Sequence, residues 1–489
     1  MLVRNRSNFG DYPFQLGVAS GDPTGDGFVL WTRLAPKPFE GGGMPSLNVS
    51  VNWMVAKDEA MTKVVAKGTA IAAPELGHSV HVEVEGLDPD RWYFYQFMSS
   101  GETSPVGRTR TAPAQNAMMD KFQFVFASCQ HYETGLFTAY EHMVKEPIDL
   151  VVHLGDYIYE YAGKDGRIRK HIGEEINSLD DYRQRLAQYK MDPSLQAMHA
   201  AAPWIVTWDD HEFDNNYANA ISEESGIDQQ AFLQRRANAY QAYYEHMPLR
   251  KSAIPNGPDM KLYRKVNFGK LLEFDVLDTR QYRSDQPCGD KSGILCPEAL
   301  DSKKTMMGKK QEKWLKKQLL KSDARWNVIA QQVMMGRVDR DPKPDTQQFS
   351  MDQWSGYDFS RRRLMELLAS ERISNPVVLT GDIHSNWVND LKVDYDRPDQ
   401  ETVAAEFVGT SITSGGDGQA IATDLEGTLH DNPFLKFHSR ERGYVKCTIT
   451  PEEWRSDYQA VEYVTRPGAP LHTRASFVVE NGKRGIEKA

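Results

Sequence analysis

The sequence predicts an α/β (α+β) chain: a small all-β domain, then a larger domain of β-sheets flanked by helices. Two textures and one placement point there. Up to about residue 112, apolar and polar residues alternate in short runs divided by turn residues, the pattern of half-buried strands. Beyond Phe122 the strands become short, continuous apolar runs separated by helical patterns, as strands buried on both faces require. Chemically useful side chains then collect directly behind those runs, where an open α/β sheet places its site.

In the first domain, Phe14–Ser20 and Gly27–Arg33 read as strands on either side of the turn-rich Gly21–Asp26. Leu47–Val55 alternates through Val49, Val51, Trp53 and Val55, and Val64–Ile71 and Ser79–Val84 follow at similar spacing. Leu87-Asp-Pro-Asp-Arg-Trp-Tyr93 precedes a further strand. A Leu-x-Pro-x-x-x-Tyr run of this kind resembles the tyrosine corner of immunoglobulin-like and fibronectin type III sandwiches. Residues 1–112 are therefore expected to form a β-sandwich. Thr103–Asp120 is rich in Pro, Thr, Ser, Gly and Ala and reads as connecting chain, with 113–120 as the linker proper.

Residues 121–489 form the second expected domain. Its strands are Phe122–Ala127, Leu150–Leu154, Trp204–Trp208, Leu271–Leu277, Trp326–Ala330 and Pro376–Leu379. Helical patterns lie between them at Thr138–Val144, Leu179–Ala200, Gln229–Met247, Lys309–Leu320 and Arg361–Ser370. Ala404–Ile412, Tyr444–Ile449 and Tyr458–Val464 continue the sheet.

Composition excludes several classes. The chain has 489 residues, 40% apolar and 26% charged, an ordinary globular balance that rules out a mostly disordered protein. A formal charge of −10 speaks against a stable nucleic-acid complex. Mean hydropathy is −0.59, and no apolar run reaches the ~18 residues of a membrane span. Of four cysteines, Cys288 and Cys296 sit in a Gly/Pro/Asp-rich stretch suited to one loop-closing disulfide, which hints at an oxidising compartment; two free thiols are the alternative.

Four strand ends carry unusual clusters: Ser128-Cys129-Gln130-His131; Gly155-Asp156-Tyr-Ile-Tyr159; Asp209-Asp210-His211-Glu212; and Gly381-Asp382-Ile-His384-Ser-Asn386. Each alone is weak, since a Gly-Asp is often a turn and a His-Glu often opens a helix. Four in order, each ending an apolar strand, are not.

Together they resemble the calcineurin-like metallophosphoesterase pattern, with departures. Ser128-Cys129-Gln130 stands where that pattern has its first ligand pair. Asp209-Asp210-His211-Glu212 stands for Gly-Asn-His-Glu, and Gly381-Asp382-Ile383-His384 for Gly-His-x-His. Tyr159 follows Asp156 by three. This combination resembles the PhoD family of alkaline phosphatases and phosphodiesterases. Phe14–Pro23, Leu30–Leu34, Gln281–Pro287 and Glu406–Ser414 agree, so the resemblance runs from Phe14 to Val464.

The resemblance implies a hydrolase of phosphate mono- or diesters with an iron–calcium centre. Cys129, Asp156, Tyr159 and His384 would surround Fe3+, a charge-dense ion suited to thiolate, phenolate, carboxylate and imidazole. Asp156 would bridge to Ca2+, whose hard oxygen ligands would come from Asp209, Asp210 and Asp382. A metal-activated hydroxide would attack phosphorus. His211 would contact phosphate or protonate the leaving group, with a hydrogen bond orienting Asp210 as its alternative role. Arg280 would fork onto phosphate or pair with Asp278. His131 and Tyr132 are candidate pocket lining; His153 and Asn386 read as structural. Ser128 lacks the Gly-x-Ser-x-Gly elbow of a nucleophile. Ser414-Gly-Gly-Asp-Gly418 lacks Walker spacing and reads as a turn near the site.

A phospholipase D type of phosphodiesterase uses the same centre. A non-catalytic binder on this scaffold would have lost some ligands, and a zinc nuclease would carry more histidine. Ala162–Asn177 and Gly418–Arg440 are candidate lids. The N-terminal Met-Leu-Val-Arg-Asn-Arg-Ser has no apolar signal region. The family resemblance, with its twin-arginine export, makes a secreted or periplasmic protein the expectation, its leader not present in this chain. Oligomeric state is not legible.

Overall fold

The computed structural model describes residues 9–341, 343, 346–370, 372–397, 399–420 and 425–489. The N-terminal heptapeptide and residues 421–424 of the second candidate lid lie outside these.

The sandwich has two sheets. One holds β1 (Val18–Thr24), β2 (Gly27–Arg33) and β5 (Ser79–Val84). The other holds β3 (Val49–Ala56), β4 (Val64–Ala72) and β6 (Trp92–Ser99), with β7 (Glu102–Thr103) and β8 (Gly107–Arg110) against β6. The alternation does its expected work: Val49, Val51, Tyr93, Tyr95 and Phe97 meet Phe28, Leu30, Val80 and Val82 in one core. Tyr93 Oη accepts the Asp88 N–H at 3.1 Å and lies 3.4 Å from the Asp88 carbonyl, the tyrosine corner its sequence announced. Two boundaries differ from expectation. Phe14–Gly17 closes a turn (Gly17 N to Phe14 O, 3.0 Å), so β1 starts at Val18 and runs on to Thr24. β8 is a strand inside the stretch read as connecting chain, recruited by pairing with Trp92–Tyr95 despite its weak composition.

The larger domain has two mixed sheets packed face to face. In one, β9 (Phe122–Ala127), β10 (Leu150–His153) and β11 (Trp204–Val206) run parallel. In the other, β12 (Arg264–Phe268), β13 (Leu272–Val276), β14 (Trp326–Ala330), β15 (Pro376–Thr380), β17 (Ala404–Val408) and β16 (Asn386–Leu391) lie side by side in that order, with β13, β14, β15 and β17 parallel. Between the sheets Phe124, Phe126, Val152 and Leu154 meet Phe274, Val328, Val377 and Phe407. β18 (Gly418–Gln419) is short. β19 (Leu435–Ile449) belongs to both sheets: its first half pairs with β16 and its second with β9. β20 (Glu453–Val461) and β21 (Leu471–Glu480) extend the first sheet.

Helices cover both outer faces. α1 (Thr138–Met143), α2 (Leu179–Lys190), α3 (Pro193–Ala201) and α4 (Gln229–His246) pack on the first sheet. α5 (Gly308–Leu319) and α6 (Asp358–Leu368) pack on the second. The single helix expected over Leu179–Ala200 is two. Pro193 has no N–H to continue α2, and Asp192 caps α3 by accepting from Ser194 N (2.9 Å) and Leu195 N (3.1 Å).

The two domains share a seam. Gly21 of β1 sits opposite Trp204 of β11, so the sandwich sheet runs into the larger domain. A Cβ at Gly21 would come within 2.7 Å of both the Trp204 and Pro248 carbonyl oxygens, which is why glycine stands there. Lys190 is buried in the same seam, with Nζ 4.3 Å from the Trp31 ring centroid and 3.5 Å from His199 Nε2. Residues 113–120 carry no helix or strand.

Candidate metal centre

Four strand ends converge on one basin: β9 runs into Cys129, β10 into Asp156, β11 into Asp209 and Asp210, and β15 into Asp382 and His384. The turns are tight. Cys129 (φ 58°), Asp156 (54°), Asp382 (65°) and His384 (52°) all sit in the left-handed region. Such backbone costs about 1–3 kcal/mol per residue and persists where its surroundings over-determine it, as at functional sites. Gly155 (φ 108°) lets two of these turns meet, since a Cβ there would fall 2.4 Å from Asp209 Cβ.

Cys129, Asp156 and His384 offer ligand atoms within 4.8 Å of one another, and Asp209, Asp210 and Asp382 do the same. Asp156, Asp210 and His211 form a third such group, so Asp156 and Asp210 link the sets. Tyr159 joins the first: its Oη is 2.8 Å from Asp156 Oδ2 and 3.1 Å from His384 Nε2. The basin therefore brings all seven predicted ligands together.

The donor set calls for positive charge. Asp156 Oδ1, Asp209 Oδ2 and Asp210 Oδ1 are buried with no hydrogen-bond partner. A buried carboxylate oxygen left so is costly unless a cation faces it. Burial pushes the Cys129 thiol and the Tyr159 phenol well up, and the Asp156 carboxylate adds to both. Asp209 is likewise pushed up by burial. Ionising a buried thiol, a buried phenol and several carboxylates side by side takes a cation beside them. The residues present fit metal ions.

Arg280 meets this basin from within. Its guanidinium is fully buried, bonding Asp209 through Nε, Asp352 through Nη1 (2.8 Å) and Asp382 through Nη2 (3.1 Å), with Asp210 at 3.6 Å. Asp278 receives only its backbone N–H (3.0 Å), so the alternative side-chain pair with Asp278 is not made. Here Arg280 faces carboxylates. His211 rests its ring 4.2 Å from that of Tyr159, and its Nδ1 lies 2.8 Å from Glu160 Oε2. That bond to Glu160 orients His211, and among the described residues His211 makes no hydrogen bond to Asp210 that would orient the carboxylate. Burial opposes charge on His211, but Glu160, Asp210 and Asp156 outweigh it and raise its pKa well above the usual imidazole value.

The other expectations divide. His131 lies against Tyr159, ring centroids 4.4 Å apart, while Tyr132 turns away under the Arg169 guanidinium at 3.9 Å. His153 is buried between Tyr157 and Trp204, and Asn386 accepts Thr410 N–H at 3.0 Å; both are structural. Ser414 lies 2.6 Å from Tyr159 Oη, so the Gly-rich turn does reach the site.

Several supporting residues had no sequence signal. Glu212 lies in the third cluster, but nothing in the sequence shows that it accepts the N–H groups of Asp156 (3.0 Å), Tyr157 (2.5 Å) and Asp209 (2.8 Å), tying β10's end to β11's. Burial and Asp156 push Glu212 up, to about 8, against the pull of those donors. Gln332 accepts Thr279 N–H (3.0 Å) and hydroxyl (2.6 Å) and donates to Thr207 Oγ1 (3.0 Å) and Leu277 O (2.9 Å), joining the ends of β11, β13 and β14. Asp352 and Gln353 come from a loop with no apolar strand before it. Of the candidate lids, Ala162–Asn177 is pinned by Glu133, which accepts Lys164 N–H (2.8 Å) and His171 N–H (2.9 Å).

Comparison with known proteins agrees with this architecture. Residues 124–458 match the family model of the PhoD-like phosphatase, and residues 2–113 that of the PhoD-like phosphatase N-terminal domain. Alkaline phosphatase D of Bacillus subtilis (strain 168) is 52% identical over 491 aligned positions, covering 99% of this chain and 84% of that protein. A solved structure described as that of PhoD superposes with a TM-score of 0.96 at 52% identity, covering 99% of this chain and 93% of that one. The chain belongs to the PhoD-like phosphatase family.

Proposed function

We propose that this chain is a phosphate-ester hydrolase of the alkaline phosphatase D type, working through ferric iron and calcium. One observation carries the reading: three orphaned, buried carboxylate oxygens converge with a thiol, a phenol and an imidazole. Cys129, Asp156, Tyr159 and His384 would hold the iron, because a charge-dense ferric ion stabilises anionic thiolate, phenolate and carboxylate ligands. Asp209, Asp210 and Asp382 would hold calcium, which prefers carboxylate oxygen. When bound, such ions supply charge neutralisation on phosphate oxygens and a water acidified toward neutral pH.

The chain's own residues do the rest. Glu212 and Gln332 hold the strand ends at fixed separation, so the ligands are set before substrate arrives. Ser414 and Asp156 hold the Tyr159 hydroxyl. With Nδ1 engaged by Glu160, His211 has Nε2 as the atom that can donate to the departing oxygen. Arg280 balances the clustered carboxylates from behind, and a phosphate contact by Arg280 would need a change of partners.

A secreted or periplasmic location follows from the same reading. The Cys288–Cys296 disulfide supports it, since such bonds persist in oxidising compartments. No helix among the described residues is long and apolar enough to cross a membrane.

The test has two arms. With calcium present at alkaline pH, kcat/KM is compared for a phosphate monoester and the matching diester; hydrolysis of neither overturns the reading, and the preferred substrate names the subclass. The iron-loaded protein should be purple from tyrosinate-to-iron charge transfer, and Tyr159→Phe should lose the colour. A colourless wild type at full iron occupancy removes Tyr159 from the ligands.

A further inference from the structure

The loop closed by Cys288–Cys296 lies outside all four strand-end clusters, yet it reaches the carboxylate basin by two routes. On one side, Asp290 Oδ2 accepts from Asn216 Nδ2 at 3.0 Å. The Asn216 backbone N–H then donates to Asp210 Oδ2 at 2.8 Å. The Asn216 carbonyl is gripped in turn by Gln286 Nε2 and by Arg283 Nη2 (3.2 Å). On the other side, Gly293 and Phe349 exchange two backbone hydrogen bonds of 2.9 Å. Three residues beyond Phe349, Asp352 accepts from Arg280 (2.8 Å) and Arg283 (2.6 Å), and Gln353 Nε2 donates to Asp382 Oδ2.

The loop's backbone is one the chain does not hold unaided. Cys288, Gly289 and Asp290 are consecutively left-handed, at φ 57°, 66° and 55°, and two of the three carry a side chain. Left-handed residues ordinarily occur singly, because a Cβ crowds the following carbonyl. Here the disulfide to Cys296 and the Cys288 N–H bond to Glu298 Oε2 (2.9 Å) fix the turn. Asn216, which receives the loop, is left-handed too (φ 49°).

The consequence falls on Asp210. Asn216 occupies its Oδ2, and the oxygen left without a hydrogen bond is Oδ1, 3.6 Å from Arg280 Nη2. Which oxygen takes the hydrogen bond is therefore set by where Asn216 stands, and Asp290 holds its side chain while Gln286 and Arg283 hold its carbonyl.

We propose that the Cys288–Cys296 loop is a positioning strap for the calcium-type site, with Asp290 acting through Asn216 to present Asp210 Oδ1. This rests on the reading of Asp209, Asp210 and Asp382 as cation ligands. Asp290 and Asn216 are positioning residues; neither is assigned contact with substrate.

The experiment is calorimetric titration of calcium into the full, iron-loaded chain after mild chelation, with melting temperature recorded alongside. Partners that orient ligands typically govern about 10–100-fold of metal affinity. Asp290→Ala, which loses the acceptor, should weaken calcium binding by about 10-fold or more. Asp290→Asn keeps an acceptor oxygen and should bind within about 3-fold of wild type, whereas loss of charge alone would predict equal weakening in both. The double variant Cys288→Ser/Cys296→Ser should weaken binding in the same direction. A purely structural role would lower the melting temperature of Asp290→Ala and leave calcium affinity unchanged, which overturns the strap. Equal losses in Asp290→Ala and Asp290→Asn also overturn it. A wild-type chain that takes up no calcium overturns the cation reading itself, and is told apart by that arm alone.

Discussion

Lys190→Met should make the protein more stable at neutral and mildly acidic pH. The Lys190 ammonium is sealed in the seam between the two domains, over Trp31 and Tyr157, with His199 as its only side-chain hydrogen-bond partner among the described residues. Burial lowers its pKa from 10.5 to about 7. Below pH 7 the folded and unfolded chains both carry the proton, and the folded state bears the whole cost of the buried charge. Between pH 7 and 10.5 the unfolded chain keeps the proton and the folded chain releases it, so this lysine makes stability rise with pH. The fall from 10.5 to about 7 corresponds to at most about 5 kcal/mol. Losing the contact with Trp31 gives back about 1–2 kcal/mol, so Lys190→Met should gain about 2–4 kcal/mol at pH 6. Urea unfolding followed by tryptophan fluorescence at pH 6, 8 and 10 measures this. The wild type should close on the variant as pH rises. A variant less stable than wild type at pH 6, or a gap that does not narrow by pH 10, would refute the reasoning.

Two further outcomes concern the basin. Gln332→Leu removes four buried hydrogen bonds and strands the Thr279 N–H and hydroxyl, while Thr207 Oγ1 and the Leu277 carbonyl keep each other at 3.0 Å; it should cost about 2–4 kcal/mol in urea unfolding, with activity falling in step; an unchanged midpoint would show the strand ends to be held by something else. Asp156→Asn should reduce kcat/KM by at least about 100-fold, yet raise the melting temperature of chelator-treated protein, because it removes one buried carboxylate whose Oδ1 has no hydrogen-bond partner.

Much of this architecture was legible because it rests on local rules. Continuous apolar runs marked the parallel strands, and the residues just after them are the ones that converge. The Leu-x-Pro-x-x-x-Tyr run marked its corner because the Tyr93–Asp88 bond spans only five residues. What escaped lay in long-range pairing. β8 has a poor strand composition and exists because β6 pairs with it. The roles of Glu212 and Asp352 depend on chain segments 56 and 72 residues away, and no periodicity reports that. Arg280 was legible as a site residue but not in its surroundings, because sequence shows that an arginine is near carboxylates and not which of them enclose it.

β19 sets the order in which the basin can be completed. All seven candidate ligands lie upstream of residue 385, whereas the strand that joins the two sheets is residues 435–449. Contacts this far apart in sequence form late and slowly. A chain emerging from its N-terminus therefore carries every candidate ligand before it has the strand that joins the two sheets. A chain truncated before residue 435 would keep all seven candidate ligands and lose the strand that joins the two sheets carrying them.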